Sequence, residues 1–485
     1  MNLLLPQSFN IEKFKEQLQN MDSAINNLML KDLISGNAER RRRENLLYAQ
    51  YQGKELAIQT RKMAEHDSIN NKIACDYRGD IIDQFTGYLF GNPVKYTIKP
   101  ERYEGGKDDP NFLKDTAFFD EFYSNNNFYD MDAETGKMQA ICGRAARLCA
   151  ILGKEKTALG FPNYSVLNIN PSECIFIYDP SSSELIAALR YYYIYGKTTD
   201  GKDTINVQVE MYDRKNIYYF LSDNNLTNFV SNKPDEEHQF NFVPLFEVLN
   251  NEERQGDFEK VESLIDAYDR SVSDAQNEQE AFRNAYLITE GGSFGEREQK
   301  AIKQTGIINL PEGAKAFFAT KSINDNFISN HLDLITKNIY RFSKTVDMTS
   351  SSFTGQGASG EARKWVLLGL ENKASAKENK FKSALKYQFK VLSSAWSTIG
   401  VTLDWAKLSV NFDRNIPMET MLEADFLAKT KGLLSDRTRF ENSKLVQNPD
   451  DELSRMEDEK EPSINLDEED NNPKDIPEPE PIQAI

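Results

Sequence analysis

Residues 349–365, TSSSFTGQGASGEARKW, contain three glycines, Gly355, Gly357 and Gly360, at the G-x-G-x-x-G spacing. In a dinucleotide-binding fold this spacing lies on the turn between a strand and a helix, where the backbone approaches a pyrophosphate. The elements on either side of the glycines therefore decide whether the chain is a doubly wound nucleotide enzyme or has a different fold.

The sequence on both sides of the glycines is helical in pattern. A helix is predicted over 324–345, and one long helix from Glu361 to about Ser397 would span ~55 Å. Lys364 is not placed as in a phosphate-binding G-x-x-x-x-G-K-[ST] loop. The glycines therefore indicate an exposed helix–helix linker, small and polar, which a partner could contact. The apolar stripe predicted for the first helix is Ile328, Leu332, Ile335, Ile339 and Phe342.

The sequence contains no recognisable catalytic constellation. Neither H-E-x-x-H nor G-x-S-x-G occurs, and the three histidines, His66, His238 and His331, are scattered. The four cysteines form no CxxC pair, which argues against a structural metal site and fits reduced thiols in an intracellular compartment. Cys142 and Cys149, seven residues apart, are predicted to be core residues on one face of a helix over 136–153. We expect no cofactor, no metal and no enzymatic activity.

Composition limits the classes of partner. The 485 residues suffice for about three domains. No apolar run approaches the ~20 residues of a membrane span, and the N-terminus lacks the basic region of a signal peptide. The net charge is -18, which disfavours tight binding of nucleic acid but not a surface along which DNA slides. Fourteen acidic residues against three basic ones follow Pro449, so much of this charge lies in the tail.

The remaining patterns predict an α+β protein. Residues 164–222 are rich in β-branched and aromatic side chains and predict an antiparallel meander with a hairpin turn at Asp200-Gly201. Residues 399–413 are strand-like and could return to that sheet. The strands IINL (307–310) and AFFAT (316–320) could pair. Helices are predicted over 10–75, 258–289 with Asp257 as its N-cap, and 417–460, whereas 106–135 reads as irregular and 461–485 as disordered. The run Arg40–Arg43 is a phosphate patch or a solvated helix face.

Several ordered segments together resemble the portal proteins of tailed double-stranded-DNA bacteriophages, of the type found in long-tailed phages of Gram-positive hosts. Residues 70–73 leading into Gly87-Tyr88-Leu89-Phe90-Gly91-Asn92-Pro93-Val94 resemble the family's N-terminal signature. Residues 243–269 are similar to its most recognisable block, Ser359-Gly360-Glu361-Ala362 to the start of its tunnel helix, and Gly432-Leu433-Leu434-Ser435 to the helix-turn of its crown. The similarity covers roughly residues 45–460.

The resemblance implies a portal fold with an α/β wing, a two-helix stem, a small α/β clip, a long tunnel helix and a helical crown. The wing would comprise 1–256 completed by 396–414, the stem helices 257–286 and 323–345, and the clip 287–322. The tunnel loop would be 346–360, the tunnel helix 361–395, the crown 415–460 and the acidic tail 461–485.

The resemblance also implies residue roles. The tunnel loop would face DNA, with hydroxyls touching the backbone and no base readout. Its residues would be Lys344, Asp347, Thr349, Ser350, Ser351, Ser352, Phe353, Thr354, Gly355, Gln356 and Gly357. Channel-lining stem residues would be Glu259, Glu262, Asp266 and Asp269. Clip residues facing the terminase or the connector would be Glu296, Arg297, Lys300 and Lys303.

The implied function is a portal vertex subunit in a homo-oligomeric ring of about twelve copies, through which viral DNA enters during packaging and leaves during ejection. The implied partners are double-stranded DNA, the large terminase subunit, a head–tail adaptor, and the major capsid and scaffolding proteins, with no membrane. The protein would be made in the bacterial host cytoplasm and reside in the virion. Another head-assembly or connector protein and, more remotely, a nucleotide-dependent DNA-processing enzyme using Gly355–Gly360 are the alternatives.

Overall fold

A computed structural model describes residues 27–62, 69–197, 203–226, 228–282, 286–291, 295–305, 313–319, 325–350, 365–415, 420–441, 443, 445–446 and 449–458. The chain divides between Asn415 and Ile416 into two units. Helices and strands are mixed along the first unit, which confirms the α+β class.

The first unit begins with helices that pack on a sheet. Helix α1 is Asn27–Gly36, α2 is Ala38–Tyr51 and α3 is Tyr77–Phe90. A 3-10 turn, Ala57–Thr60, separates α2 from α3, and residues 69–76 are neither helix nor strand. The prediction of helix throughout 10–75 is therefore only partly right.

Two helices occupy a stretch that the sequence predicted to be irregular. After strand β1, Lys95–Ile98, come α4, Pro110–Asn125, and α5, Phe128–Cys142. The Asp109 side chain accepts a hydrogen bond from Asn111 N at 2.8 Å, and Pro110 occupies the first turn of α4, as at many helix starts. Buried rings on α4 (Phe118, Phe119) outweigh the polar residues that suggested a loop.

The helix predicted over 136–153 is right only as far as Cys142, where α5 ends and a strand follows. Gly143 has φ +80°, and a Cβ there would lie 2.1 Å from the Arg254 carbonyl oxygen. Beyond it runs β2, Arg144–Lys156. Cys142 and Cys149 are both buried, as predicted for core residues, but they do not share a helix face.

The strands form antiparallel sheets. A three-stranded sheet has the order β10–β2–β3, where β3 is Pro162–Ile169 and β10 is Leu245–Leu249. A second sheet consists of β4 Cys174–Tyr178, β5 Leu185–Lys197, β6 Asp203–Tyr212, β7 Asn216–Asp223, β8 Phe229–Ser231 and β9 Glu236–Glu237. Its order is β4–β5–β6–β7–β8, with β9 beside β7, which confirms the meander from Cys174 onward, whereas the start of the predicted meander, 164–169, belongs to β3 of the other sheet. In the hairpin of β5 and β6, Lys197 pairs with Asp203 next to the predicted Asp200-Gly201 turn. The turn itself lies outside the described residues.

Beyond the sheets the chain turns largely helical. A 3-10 turn, Glu259–Val261, leads into α6, Glu262–Phe282, and the helix predicted to reach 289 gives way to strand β11, Tyr286–Glu290. Strand β11 pairs with β12, Lys315–Ala319, so the segment AFFA pairs with YLITE. The segment IINL lies outside the described ranges, and its pairing with AFFAT stays a prediction. Helix α7, Glu296–Thr305, lies between β11 and β12 in the sequence, and α8, Asp325–Ser343, follows β12.

The long helix of the first unit is α9, Leu368–Trp396, 29 residues or ~44 Å. Its inner face is buried and includes Phe381, Phe389 and Trp396. Strand β13, Leu408–Asn411, then pairs with β1, so the predicted return of the chain to a sheet occurs at a separate two-stranded sheet and not at the meander. The second unit contains α10 Thr420–Lys429, α11 Asp436–Glu441 and α12 Pro449–Asp458.

Candidate functional site

The glycine-rich segment begins at the end of a helix. Helix α8 ends at Ser343, and helical residues resume at Trp365, so the nearest described elements on both sides are helices. The nearest described element before the glycines is thus a helix and not the strand that a dinucleotide-binding turn needs. Lys344, Asp347, Thr349 and Ser350 are described. The other predicted DNA-facing residues, Ser351, Ser352, Phe353, Thr354, Gly355, Gln356 and Gly357, lie outside the described residues.

We call residues 343–350 the root of the segment, and its first half is fixed to the protein body. Val346 is buried, and its backbone N donates to Gln84 Oε1 at 3.0 Å. Asp80 Oδ2 accepts from Gln84 Nε2 and from the Tyr340 hydroxyl, both at 3.0 Å. Helix α3 therefore holds both the last turn of α8 and the residues that follow it.

The second half of the root is a side-chain-capped turn. Asp347 Oδ1 accepts from Thr349 N at 2.9 Å and from the Thr349 hydroxyl at 2.6 Å, while Ser350 Oγ donates to the Asp347 carbonyl at 2.8 Å. Thr349 is exposed, as is Lys344, whose φ is +70°. The root thus presents hydroxyls and one ammonium group, and its single carboxylate is already engaged. Because both hydroxyls donate to Asp347, they would have to exchange those bonds to donate to a phosphate oxygen, and the groups of the root form no acid–base pair.

The predicted channel-lining carboxylates of the stem are held by side chains and backbone of the same chain. Glu259 accepts from Arg43 Nε at 2.7 Å, Glu262 from Gln50, and Asp266 from Arg78 at 2.7 Å. Asp269 is only 1% exposed, so the prediction that it lines a channel is wrong: a side chain buried within its own subunit cannot face a channel.

The buried polar face of α6 has an identifiable partner. We call residues 69–76 the docked segment, because its alternate backbone amides bond to side chains one helical turn apart. Asn71 N donates to Asn277 Oδ1 at 2.8 Å, Ile73 N to Ser273 Oγ at 3.0 Å and Cys75 N to Asp269 Oδ1 at 2.8 Å. Two residues of non-helical chain advance about as far as one helical turn, ~5–7 Å, so the two periods match.

The arginine run is not simply a solvated face. Arg43 forms the pair with Glu259, and the Arg41 guanidinium lies 4.4 Å and 4.9 Å from the ring centroids of Tyr191 and Tyr193. Burial lowers the pKa of Arg40 to about 10. Both interpretations offered by the sequence therefore fail for much of this run, because the guanidinium groups face the protein.

Three of the four predicted clip residues are exposed on α7: Glu296, Arg297 and Lys300. Lys303 belongs to the same helix. The helix is therefore able to offer charges of both signs to a partner.

A buried ionic cluster that the sequence analysis missed lies where α6, α8 and α9 meet. Asp257 is an ion-pair partner of Lys377 and, at 3.1 Å, of Lys373, and its Oδ1 also accepts from Asn250 Nδ2 at 3.0 Å. Burial raises the pKa of Asp257, but the two ammonium groups outweigh it and hold that pKa below its ordinary value. Asp257 is not the N-cap that the sequence predicted, because the helical turn begins at Glu259 and the carboxylate faces the lysines.

One sequence signal could have revealed this cluster. Lys377 stands where the buried face of α9 otherwise carries apolar residues, in the series Leu370, Ala374, Lys377, Phe381 and Leu385. A lysine at an apolar position of a helix requires a buried counter-charge.

Among the residues that the structure describes, no group of three or more histidine, cysteine, aspartate and glutamate side chains could hold a metal ion. Within those same residues, no helix is long and apolar enough to cross a membrane.

Residues 30–465 match the family model described as phage portal protein, SPP1 Gp6-like. The chain belongs to this phage portal family. The portal protein of Clostridium phage phiCD119 is 24% identical over 429 residues, which cover 84% of this chain and 90% of that protein. The portal protein of Bacillus phage SPP1 is 22% identical over 422 residues, covering 82% of this chain and 78% of that protein. The resemblance drawn from the sequence is thereby confirmed.

Proposed function

We propose that this chain is the portal vertex subunit of a tailed phage, a structural protein and not an enzyme, which assembles into a ring that viral DNA crosses during packaging and ejection. The observation that carries the proposal is the portal-family match, which extends over residues 30–465. The ring of about twelve copies, the virion location and the docking of terminase, head–tail adaptor, capsid and scaffolding proteins are parts of the same proposal.

Within this ring the root and the segment after it would face the DNA. Thr349 and Ser350 offer hydroxyls, and Lys344 offers one exposed cation. A channel that passes a polyanion in both directions must not bind it tightly, and a chain of net charge -18 with a single cation in the root keeps counterion release small. Exposed Glu296, Arg297 and Lys300 on α7 would face the terminase or the connector.

The first test is the particle mass of the purified chain by light scattering, with negative-stain images of the same fractions. We expect a particle of about twelve times 55.5 kDa with a central hole. A solid or elongated particle of other symmetry would contradict the ring.

The second test places the DNA. A photo-crosslinker at Ser350 should react with DNA trapped in packaged heads, whereas one at Tyr195 of strand β5, which is 76% exposed, should not. The reverse pattern would show that the root does not face the DNA.

A further inference from the structure

Lys373 contacts three separate elements. It belongs to α9, its Nζ donates to the Ser343 carbonyl oxygen at 3.0 Å at the end of α8, and it lies 3.1 Å from Asp257 Oδ1 at the entry to α6. The same ammonium lies 4.2 Å from the ring centroid of Phe85 on α3. The Lys373 side chain therefore joins the start of the root to α9 and to the entry of α6.

The neighbouring Lys377 makes fewer connections. It pairs with the other oxygen of Asp257 and lies 4.9 Å from the Phe85 centroid. It is also more deeply buried than Lys373, at 4% against 25% side-chain exposure. Lys377 thus satisfies the charge of Asp257, which leaves Lys373 to hold the Ser343 carbonyl as well.

The Ser343 carbonyl is a group that needs such a donor. The last carbonyl groups of a helix have no partner within the helix, and an ammonium group near them also interacts favourably with the helix dipole. Directly after it, Lys344 adopts a positive φ and Thr345 and Val346 are buried. Together with the hydrogen bond from Val346 N to Gln84, the bond at this carbonyl fixes the direction in which the chain leaves α8.

We propose that Lys373 is a positioning residue for the root: it ties the end of α8 to α9 and to Asp257, so that the hydroxyls of Thr349 and Ser350 hold one place relative to both helices. The consequence for DNA rests on the proposed function, whereas the tie itself does not. A shift of α9 against α6 would be transmitted to the root through this one ammonium group.

The test is native-state hydrogen exchange on the full chain, as the ratio of the rate in residues 343–350 to that in residues 207–212 of β6. The variant is Lys373→Met. The matched control is Lys380→Met, which removes an exposed ion pair with Glu252 from the same helix. We expect the ratio to rise about tenfold in Lys373→Met, since a hydrogen bond from a charged group is lost, and to stay within twofold in Lys380→Met. Where both segments exchange through global unfolding, a general loss of stability raises both rates alike and leaves the ratio unchanged.

A ratio within twofold of the unmodified chain in Lys373→Met, or an equal rise in both variants, would overturn the proposal. Lys373→Gln, which keeps an N–H donor but loses the charge, is read in the same way if the methionine variant does not fold. These results are independent of the ring: a wrong particle mass rejects the portal function whatever the exchange ratio, and an unchanged ratio rejects the positioning role in a ring of correct mass.

Discussion

Helices α6 and α8 pack against each other, yet their sides away from the common interface are used in opposite ways. Helix α6 binds the docked segment with polar side chains, and its line of buried residues is Ile265, Asp269 and Ser273, in register with buried Val261 of the preceding turn. Helix α8 leaves large apolar side chains exposed: Phe327 is 68%, Leu334 58% and Phe342 51% exposed. The elements packed against a helix, and not the helical period alone, decide which of its residues are buried.

The same difference explains an error in the predicted stripe of α8. Phe342 was assigned to the inner face, but the buried line runs in four-residue steps through Ile335, Ile339 and Ser343. Phe342 precedes Ser343 by one residue and so lies about 100° around the helix. The stripe is confirmed at Ile335 and Ile339 and wrong at Phe342.

The largest effect should come from the polar side of α6. Asp269→Ala leaves the Cys75 amide without an acceptor and the Arg78 guanidinium, 2% exposed, with one carboxylate fewer. We expect the free energy of unfolding, measured with urea, to fall by about 4 kcal/mol.

The control for this change is Asp274→Ala. Asp274 also lies on α6, and the change removes an exposed carboxylate that pairs with Arg61. It should cost less than about 1 kcal/mol. Equal losses in the two variants would mean that the docked segment does not stabilise α6.

The next largest effect separates the two sides of α8. Ile339→Ala, at a position with 0% exposure, should lower the free energy of unfolding by about 3 kcal/mol. Leu334→Ala on the exposed side should change it by less than about 0.5 kcal/mol. Urea unfolding at low protein concentration measures both. A large loss in Leu334→Ala would show that this side is covered in the folded chain.

The entry to α6 should give a pH-dependent effect. The folded-state pKa of Asp257 lies below the ordinary 3.8, so its contribution is complete above pH 3.8 and is lost as the pH falls through the lower folded value. We expect Asp257→Asn to cost about 2 kcal/mol at pH 7 and the gap from the unmodified chain to close below pH 3.8. Unfolding free energies measured from pH 7 to 2.5 test this, and a gap that widens with acid would contradict it.

The pKa of Glu247 and that of Glu371 are also lowered: burial raises each, but Arg254 outweighs this at Glu247 and Arg414 at Glu371. The unmodified chain and Asp257→Asn should therefore both keep losing stability in acid, and only the difference between these two proteins reports on Asp257.

The smallest effect concerns Lys344, the residue directly after α8. Lys344 has φ +70°, a conformation that glycine adopts without penalty. Lys344→Gly should raise the free energy of unfolding by roughly 0.5 kcal/mol. Lys337→Gly, at an exposed position in the middle of α8, should lower it by about 1 kcal/mol. Thermal melts of both variants suffice. A loss of stability in Lys344→Gly would mean that its side chain contributes more than the strain costs.

The sequence predicted the elements with a strong period and missed those held by contacts distant in sequence. The meander of β4–β7 and the existence of α8 and α9 follow from local patterns. By contrast, the local pattern does not predict the buried roles of Asp269 and Ser273, because their partners lie about 200 residues away in a segment without regular structure. The need for glycine at position 143 could not be predicted either, because the Arg254 carbonyl that excludes a side chain there is more than 100 residues away in sequence.

For the candidate site the division is similar. The family was recognisable from ordered segments and is confirmed. The cluster of Asp257, Lys373 and Lys377 was not recognised, because charge at an apolar position identifies a need for a partner but not which partner meets it.

The docked segment also determines when the chain can complete its folding. The partners of the Asn71, Ile73 and Cys75 amides are 206, 200 and 194 residues further along the chain. A ribosome adding about 5–20 residues per second delivers them ten seconds or more after the segment has emerged. During that time every strand of the two larger sheets is made, while the segment has no α6 on which to dock. A nascent chain that stops short of α6 therefore leaves these amides exposed, and only a chain extended past residue 277 can bury all three.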